Sequence, residues 1–491
     1  MRKSIVAAPR LPASLTGNGI LLGWSLEDVH PEPLPYGFSY GPRPRPTYPE
    51  DWDPILQSGE GHLMTIAPTG AGKGVSAVIP TLLRYPGQAV VIDPKGENYH
   101  VTAAARRAMG QRVVLLDPFD VCGTGETDRL DPLDLMRAGL IPANTAQRTG
   151  KGLPADEEKA REFLGDTARQ IARALVPDIP QLRDPFWENS ARRMVGALLA
   201  YIMAESPKAL TNFAELVYTL SQSDKDLGLT VKDMARSKHP FVQSAASGAF
   251  PAEPKVRASV VSTALAAVEF LQGKALEVTQ KSTFHLSDVL EGEPMTIYMV
   301  LPPEKLASQG RLLRLWMTTL ISTLSQRRRL PETPTLFLMD EAAQLGRMDE
   351  FLSAVTLMRG YGVKVWSFWQ DLSQITAHYP SEWRTILNNT HALQMFGLWN
   401  THMRKDAMNI TGFDDLWELR DMDRNEQLLV LSGDDPVITR RANYLDDPAF
   451  DGLAAPNPYY RGSEGEAERL RPIVEPRSYA RGPSTDGEAP A

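Results

Sequence analysis

Short, almost uncharged apolar runs punctuate this chain, and apolar patterns of helical period separate them. "LMTIA", "QAVVID" and "RVVLLD" are three such runs within residues 61–120. Lys73 to Arg84 and Tyr99 to Met109 lie between them and read as helices. Runs this short and this continuously apolar predict strands buried on both faces, hence a mostly parallel sheet covered by helices. From about residue 155 to 285 the strand runs give way to helical spacing, as in "ARRMVGALLAYIMAE" and "VRASVVSTALAAVEFL". The strand pattern resumes at "MTIYMVLP", followed by a long helix through Leu312 to Arg327. "TLFLMDEA", "VKVWSFWQ", "HALQMFGLW" and "EQLLVLSG" then supply further strands.

The pattern predicts an α/β domain in two parts, residues 61–150 and 291–450, interrupted by an all-α domain at 151–290. Residues 1–60 contain a stretch dense in Pro, Gly and aromatics and are expected to form an extended arm. Residues 451–491, rich in Pro, Gly, Glu and Arg, are expected to be disordered.

Composition narrows the function classes. The 491 residues are 42% hydrophobic and 23% charged, an ordinary globular balance. A formal net charge of −8 gives no general affinity for nucleic acid, so a polyanion partner requires a local basic surface. "SQRRRL" (325–330) is the densest basic cluster; it sits at a helix end, where arginines equally suit the helix dipole. The lone Cys122 excludes an intrachain disulfide and fits a reducing cytoplasm. No uncharged apolar run approaches the roughly 20 residues that cross a bilayer. The expectation is therefore a cytoplasmic protein that meets a membrane only through a partner.

The chemistry concentrates in "APTGAGKG" (67–74), between a strand and a helix. Gly70 and Gly72 allow the backbone N–H groups to turn toward a phosphate, and Lys73 reaches the outer phosphates. The helix that follows offers its positive end. Thr69, Gly70, Ala71, Gly72, Lys73, Gly74 and Val75 are the expected phosphate-binding positions; a plain Gly-rich turn is the alternative. Gly74 stands where such loops usually carry a Ser or Thr for Mg²⁺. Magnesium keeps several waters, so one carboxylate plus phosphates could complete its shell. Asp340, ending "TLFLMD", is the expected metal ligand, and Glu341 the group that polarises water. The plain alternative is a pair of N-caps. Gln370 ends another strand and would sense the γ-phosphate or orient the water, unless it only bonds a loop. Arg359 suits an arginine finger reaching a neighbour's nucleotide; an ordinary helix-end arginine is the alternative.

"GAGKGVSAVIPTLL", "VVIDPKGENYHVTAAARR", "DPFWENSARRMVGALL", "TIYMVLPPEKL", "LFLMDEAAQLGRM" and "SFWQDLSQI" together resemble the TraG-like type IV secretion coupling proteins, within the FtsK/HerA class of ring-forming pumps. The resemblance covers roughly residues 62–450. It implies a RecA-like P-loop motor domain with an inserted all-α domain, many members of the family also carrying Gly–Lys–Gly. It implies an ATPase using ATP and Mg²⁺, with Lys73, Asp340, Glu341, Arg359 and Gln370 in the roles above. It sets Asp93, Lys95 and Glu97 of "DPKGE" near the nucleotide, where a structural turn is the alternative. A homo-hexameric ring is implied, with DNA (single- or double-stranded), relaxosome or effector proteins and secretion-channel components as partners. The expected function is a translocase delivering DNA or a DNA–protein substrate to the channel. A nucleotide-gated receptor that sorts proteins without pumping DNA is the rival.

Overall fold

The computed structural model describes residues 19–27, 30–31, 46–47, 53–137, 154–177 and 185–459. Most of the Pro-rich stretch, the boundary near residue 150 and the tail beyond 459 lie outside the described residues. The strands are β1 (Ile20–Trp24), β2 (His30–Pro31), β3 (Pro46–Thr47), β4 (Pro54–Gln57), β5 (His62–Ile66), β6 (Ala89–Ile92), β7 (Arg112–Leu116), β8 (Met295–Met299), β9 (Thr335–Met339), β10 (Val363–Trp369), β11 (Thr390–Met395), β12 (Glu426–Leu431) and β13 (Val437–Arg440).

Eleven of them form one sheet in the order β4-β1-β13-β12-β11-β5-β10-β9-β6-β8-β7. From β11 to β7 every pairing is parallel; β12, β13, β1 and β4 extend the sheet with antiparallel pairings. Alternate residues of the parallel strands enter different cores. Met64, Ile92, Phe337 and Met339 join one, while Leu63, Val91, Leu336 and Leu338 join the other. Burial on both faces is why these runs lack a polar period. The outer strands correct the expectation for residues 1–60. Ile20–Trp24 is fully buried and, with Pro54–Gln57, pairs into the main sheet. Pro54–Gln57, which opens on a proline, is the edge strand, where a missing N–H costs least, and Ile20–Trp24 lies one strand further in.

Between β7 and β8 the described residues hold only helices, including Pro154–Leu175, Phe186–Glu205 and Pro254–Val268. Their buried residues (Ala168, Leu198 and Ala264 among them) continue into the core under one sheet face. Leu312, Trp316 and Leu320 of the helix Pro303–Leu324 sit in that same core. The "SQRRRL" cluster divides. Arg327 is buried and donates to Leu290 O, Val289 O, Gly362 O and Thr335 Oγ1. Five N–H groups on a planar fork suit this convergence of carbonyls. Arg327 is thus a structural staple, and only Arg328 and Arg329 face solvent.

His62 shows how the N-terminal edge of the sheet is tuned. Its ring is buried, and Nδ1 accepts from Val365 N at 3.1 Å. Burial, assisted by His391, Arg359 and Lys364 and opposed by a backbone bond to Val355, lowers its pKa from 6.5 to about 4. Protonation therefore favours the unfolded chain. The penalty is absent above pH 6.5 and grows as pH falls toward 4, to about 3 kcal/mol. His62→Gln is expected to flatten the loss of melting temperature between pH 6.5 and 4.5. Equal acid sensitivity in both proteins would count against this origin.

Candidate active site

The parallel order puts the expected site residues on neighbouring strand ends. β10 lies between β5 and β9, with Trp369 opposite Ile66 and Ser367 opposite Met339. β6 flanks β9, with Ile92 opposite Met339. The loop after β5, the acids after β9, Gln370 after β10 and Asp93 after β6 therefore emerge along one edge. It is the carboxyl edge, where sheets of this kind bind ligands.

Ala67 N donates to Trp369 O at 2.9 Å, fastening the loop to β10. Gly70 (φ 80°) and Gly72 (φ 91°) occupy the left-handed region and supply the turn. Ser76 N bonds Gly72 O at 2.9 Å as the chain enters a π-helical turn, Gly74–Val78, before the helix Ile79–Leu82. Thr69 and Gly70 are exposed, whereas Ala71, Lys73 and Val75 are buried. A Cβ at Gly74 would meet nothing within 4 Å, so packing is not what excludes a hydroxyl there.

Buried Lys73 donates from Nζ to Ala67 O at 3.0 Å and lies 3.8 Å from Glu341 Oε1. Gln370 Nε2 donates to Glu341 Oε2 at 3.0 Å. Glu341 itself has φ 61° and ψ 48°, a left-handed conformation that is costly for a side chain bearing a Cβ. The carboxylate is thus aimed by backbone strain and two side chains. Asp340 beside it is pushed up to about 6 by burial and by the Glu341 charge, with Lys73 opposing. Asp93 is buried and reaches about 7, mainly by burial, although Tyr99 N and Asn98 donate to it. Those bonds tie Asp93 to the first turn of the helix Glu97–Ala108, whose N-cap is Gly96. Gly96 (φ 70°) is required twice, since a Cβ there would also lie 2.6 Å from Cys122 Sγ.

Arg359 does not join this group. It precedes β10, with Nη1 3.4 Å from His391 Nε2 and Nε 3.7 Å from Glu60. That is the amino edge of the sheet, about 20 Å from Glu341 at the usual strand rise.

A residue the sequence reading missed completes the loop's surroundings. Arg441, just past β13, donates from Nη1 to Ala71 O at 2.7 Å. The segment that follows lies along the site. Tyr444 N bonds Val75 O, Asn457 Nδ2 bonds Glu97 Oε1 at 2.8 Å, and the Tyr459 hydroxyl bonds Lys95 O. Residues 451–459, expected to be disordered, are therefore held by the "DPKGE" turn and its helix. Their Pro and Gly content suits a strap without regular structure as well as it suits disorder.

A family model described as type IV secretory system conjugative DNA transfer matches residues 46–410. The chain belongs to this family. The conjugal transfer protein TraG of Escherichia coli is 25% identical over 339 residues, 65% of this chain and 50% of TraG. VirD4 of Rhizobium radiobacter is 28% identical over 358 residues, 70% of this chain and 46% of VirD4. The chain spans about half the length of these curated relatives. A structure of the plasmid coupling protein TrwB in complex with ADP and Mg²⁺ superposes with a TM-score of 0.56 at 15% identity, covering 79% of this chain and 87% of TrwB. This member of the conjugative DNA transfer family thus has a RecA-like P-loop fold. No helix among its described residues is long and apolar enough to cross a membrane.

Proposed function

We propose that this chain is an ATP-driven coupling protein. It would hydrolyse ATP to deliver DNA, or a DNA–protein substrate, to a type IV secretion channel. The observation that carries the reading is the contact of Lys73 and Gln370 with one strained carboxylate, Glu341, beside a glycine loop in this family's fold. Relaxosome or effector proteins and channel components are the proposed partners, and a homo-hexameric ring the proposed assembly.

The residues fit a magnesium nucleotide. Asp340 is crowded by Glu341 and Glu97, and a divalent cation at its oxygens would offset that repulsion. Bound there with several waters, Mg²⁺ would neutralise developing phosphate charge. Lys73 would leave Ala67 O for the β- and γ-phosphates. Glu341 would take a proton from the attacking water, and Gln370, already bonded to Glu341, would hold that water in line. Arg359 would act in trans, completing a neighbour's site.

The deciding experiment is magnesium-dependent ATP hydrolysis with and without single- and double-stranded DNA. Turnover is expected to rise with DNA and to vanish in Lys73→Ala. Tight ATP binding without hydrolysis under any DNA condition would overturn the motor and favour the protein-sorting receptor.

A further inference from the structure

Arg441 is expensive to keep where it is. Its Nη1 donates to Ala71 O, its Nη2 to Arg424 O, and its guanidinium lies 4.4 Å from the centre of the Phe396 ring. Nε is buried with no hydrogen-bond partner. Burial pushes the pKa down to about 10, opposed by Asp423 alone, and no salt bridge joins the two. A guanidinium that is desolvated, left with one bare donor and unpaired costs stability unless something uses it.

Its bond to Ala71 O shows what that use is. In a trans peptide the C=O and the following N–H point in opposite directions. Holding Ala71 O against Arg441 therefore turns the N–H of Gly72 the other way. The left-handed φ of Gly72 permits this turn, and a Cβ there would already lie 3.7 Å from Arg441 Nη1. Phosphate loops bind through such N–H groups. We propose that Arg441 is a positioning residue of the nucleotide site. It locks the Ala71–Gly72 peptide with its N–H presented to phosphate, and its uncompensated charge favours an anion on the loop. The inference rests on the phosphate-loop reading and adds a residue from the far end of the chain. It also explains why the 441–459 segment is fastened to Val75, Lys95 and Glu97: the strap holds the guanidinium in place.

The test is titration of the full chain with fluorescent ADP and ATP analogues, beside steady-state kinetics. Arg441→Ala is expected to weaken ADP and ATP alike by about tenfold or more. KM should rise far more than kcat falls. Arg441→Lys keeps the charge without the fork or the ring stack and should recover part of the loss. Guanidinium ion at millimolar concentration should restore binding to the alanine variant, which a merely structural defect would not allow. ADP affinity within threefold of wild type, or a loss confined to ATP, overturns the proposal. If the alanine variant does not fold, Arg441→Lys and Phe396→Leu carry the test, and wild-type ADP affinity in both overturns it. Wild-type protein that binds no nucleotide overturns the phosphate-loop reading as well. Loss of binding in Lys73→Ala alone leaves that reading standing and removes only the role of Arg441.

Discussion

Glu341→Gln is expected to slow ATP hydrolysis by roughly two to four orders of magnitude while nucleotide binding persists. The two side chains have the same shape, so the partner Gln370 and the left-handed backbone at 341 can be retained. The amide, however, cannot accept a proton from water. Binding should even tighten modestly, because a negative charge 3.8 Å from Lys73 is removed from a site built for phosphates. Single-turnover phosphate release and a nucleotide titration separate the two effects. A rate within tenfold of wild type would remove Glu341 from the chemistry. An affinity loss as large as the rate loss would reduce it to a binding residue.

Why this carboxylate and not its neighbour follows from geometry. Asp340 is the first residue past β9. Glu341 follows in a left-handed conformation that sets it between Lys73 and Gln370. A pH-rate profile of the wild type therefore reports on coupled acids. Asp340, about 6, and Asp93, about 7, both have pKa values raised by burial, so the folded state holds their protons more tightly than the unfolded chain. Their contribution to stability declines as pH rises through that range, opposite in sign to that of His62.

Much of this was readable from the chain because local and global signals agree. "LMTIA", "TLFLMD" and "VKVWSFWQ" are apolar without a break since both sheet faces are covered, and each ends on a residue of the site. Strand–loop–helix order was enough to propose that Lys73, Asp340, Glu341 and Gln370 share an edge. What the pattern lacks is strand neighbourhood. Nothing local indicates that β1 pairs with β13 across more than four hundred residues, because the pairing rests on contacts of the folded sheet. Arg441 was invisible for the same reason. It lies in "TRRANY", with no glycine or acid to mark it, and only the folded sheet, in which β12 joins β13 to β11, brings it to Ala71 and Phe396. Arg327 fails in the other direction. Three adjacent arginines look like a surface for a polyanion, yet the first is consumed by carbonyls of other elements, at the end of the helix Leu286–Glu291 and at Gly362 before β10.

Arg359→Ala is expected to lower turnover by about a thousandfold and to spare nucleotide affinity. Within its own chain Arg359 serves no phosphate. It stands at the amino edge of the sheet, half exposed, and its partner Glu60 is still more exposed, so the ion pair holding it is weak. A weakly held guanidinium can exchange Glu60 for phosphate at little cost, which suits a group that acts only when a second subunit arrives. The prediction that separates this from a structural role is complementation. Arg359→Ala chains supply intact Lys73 and Glu341, and Lys73→Ala chains supply intact Arg359. In mixed rings with random order, roughly a quarter of the junctions unite an intact site with an intact arginine, so activity should return to about that fraction of wild type. Neither variant should be active alone. Mixed rings that assemble yet stay inactive would show that Arg359 works within its own chain. Recovery would place the reacting atoms between two copies, and make assembly the step that switches the motor on.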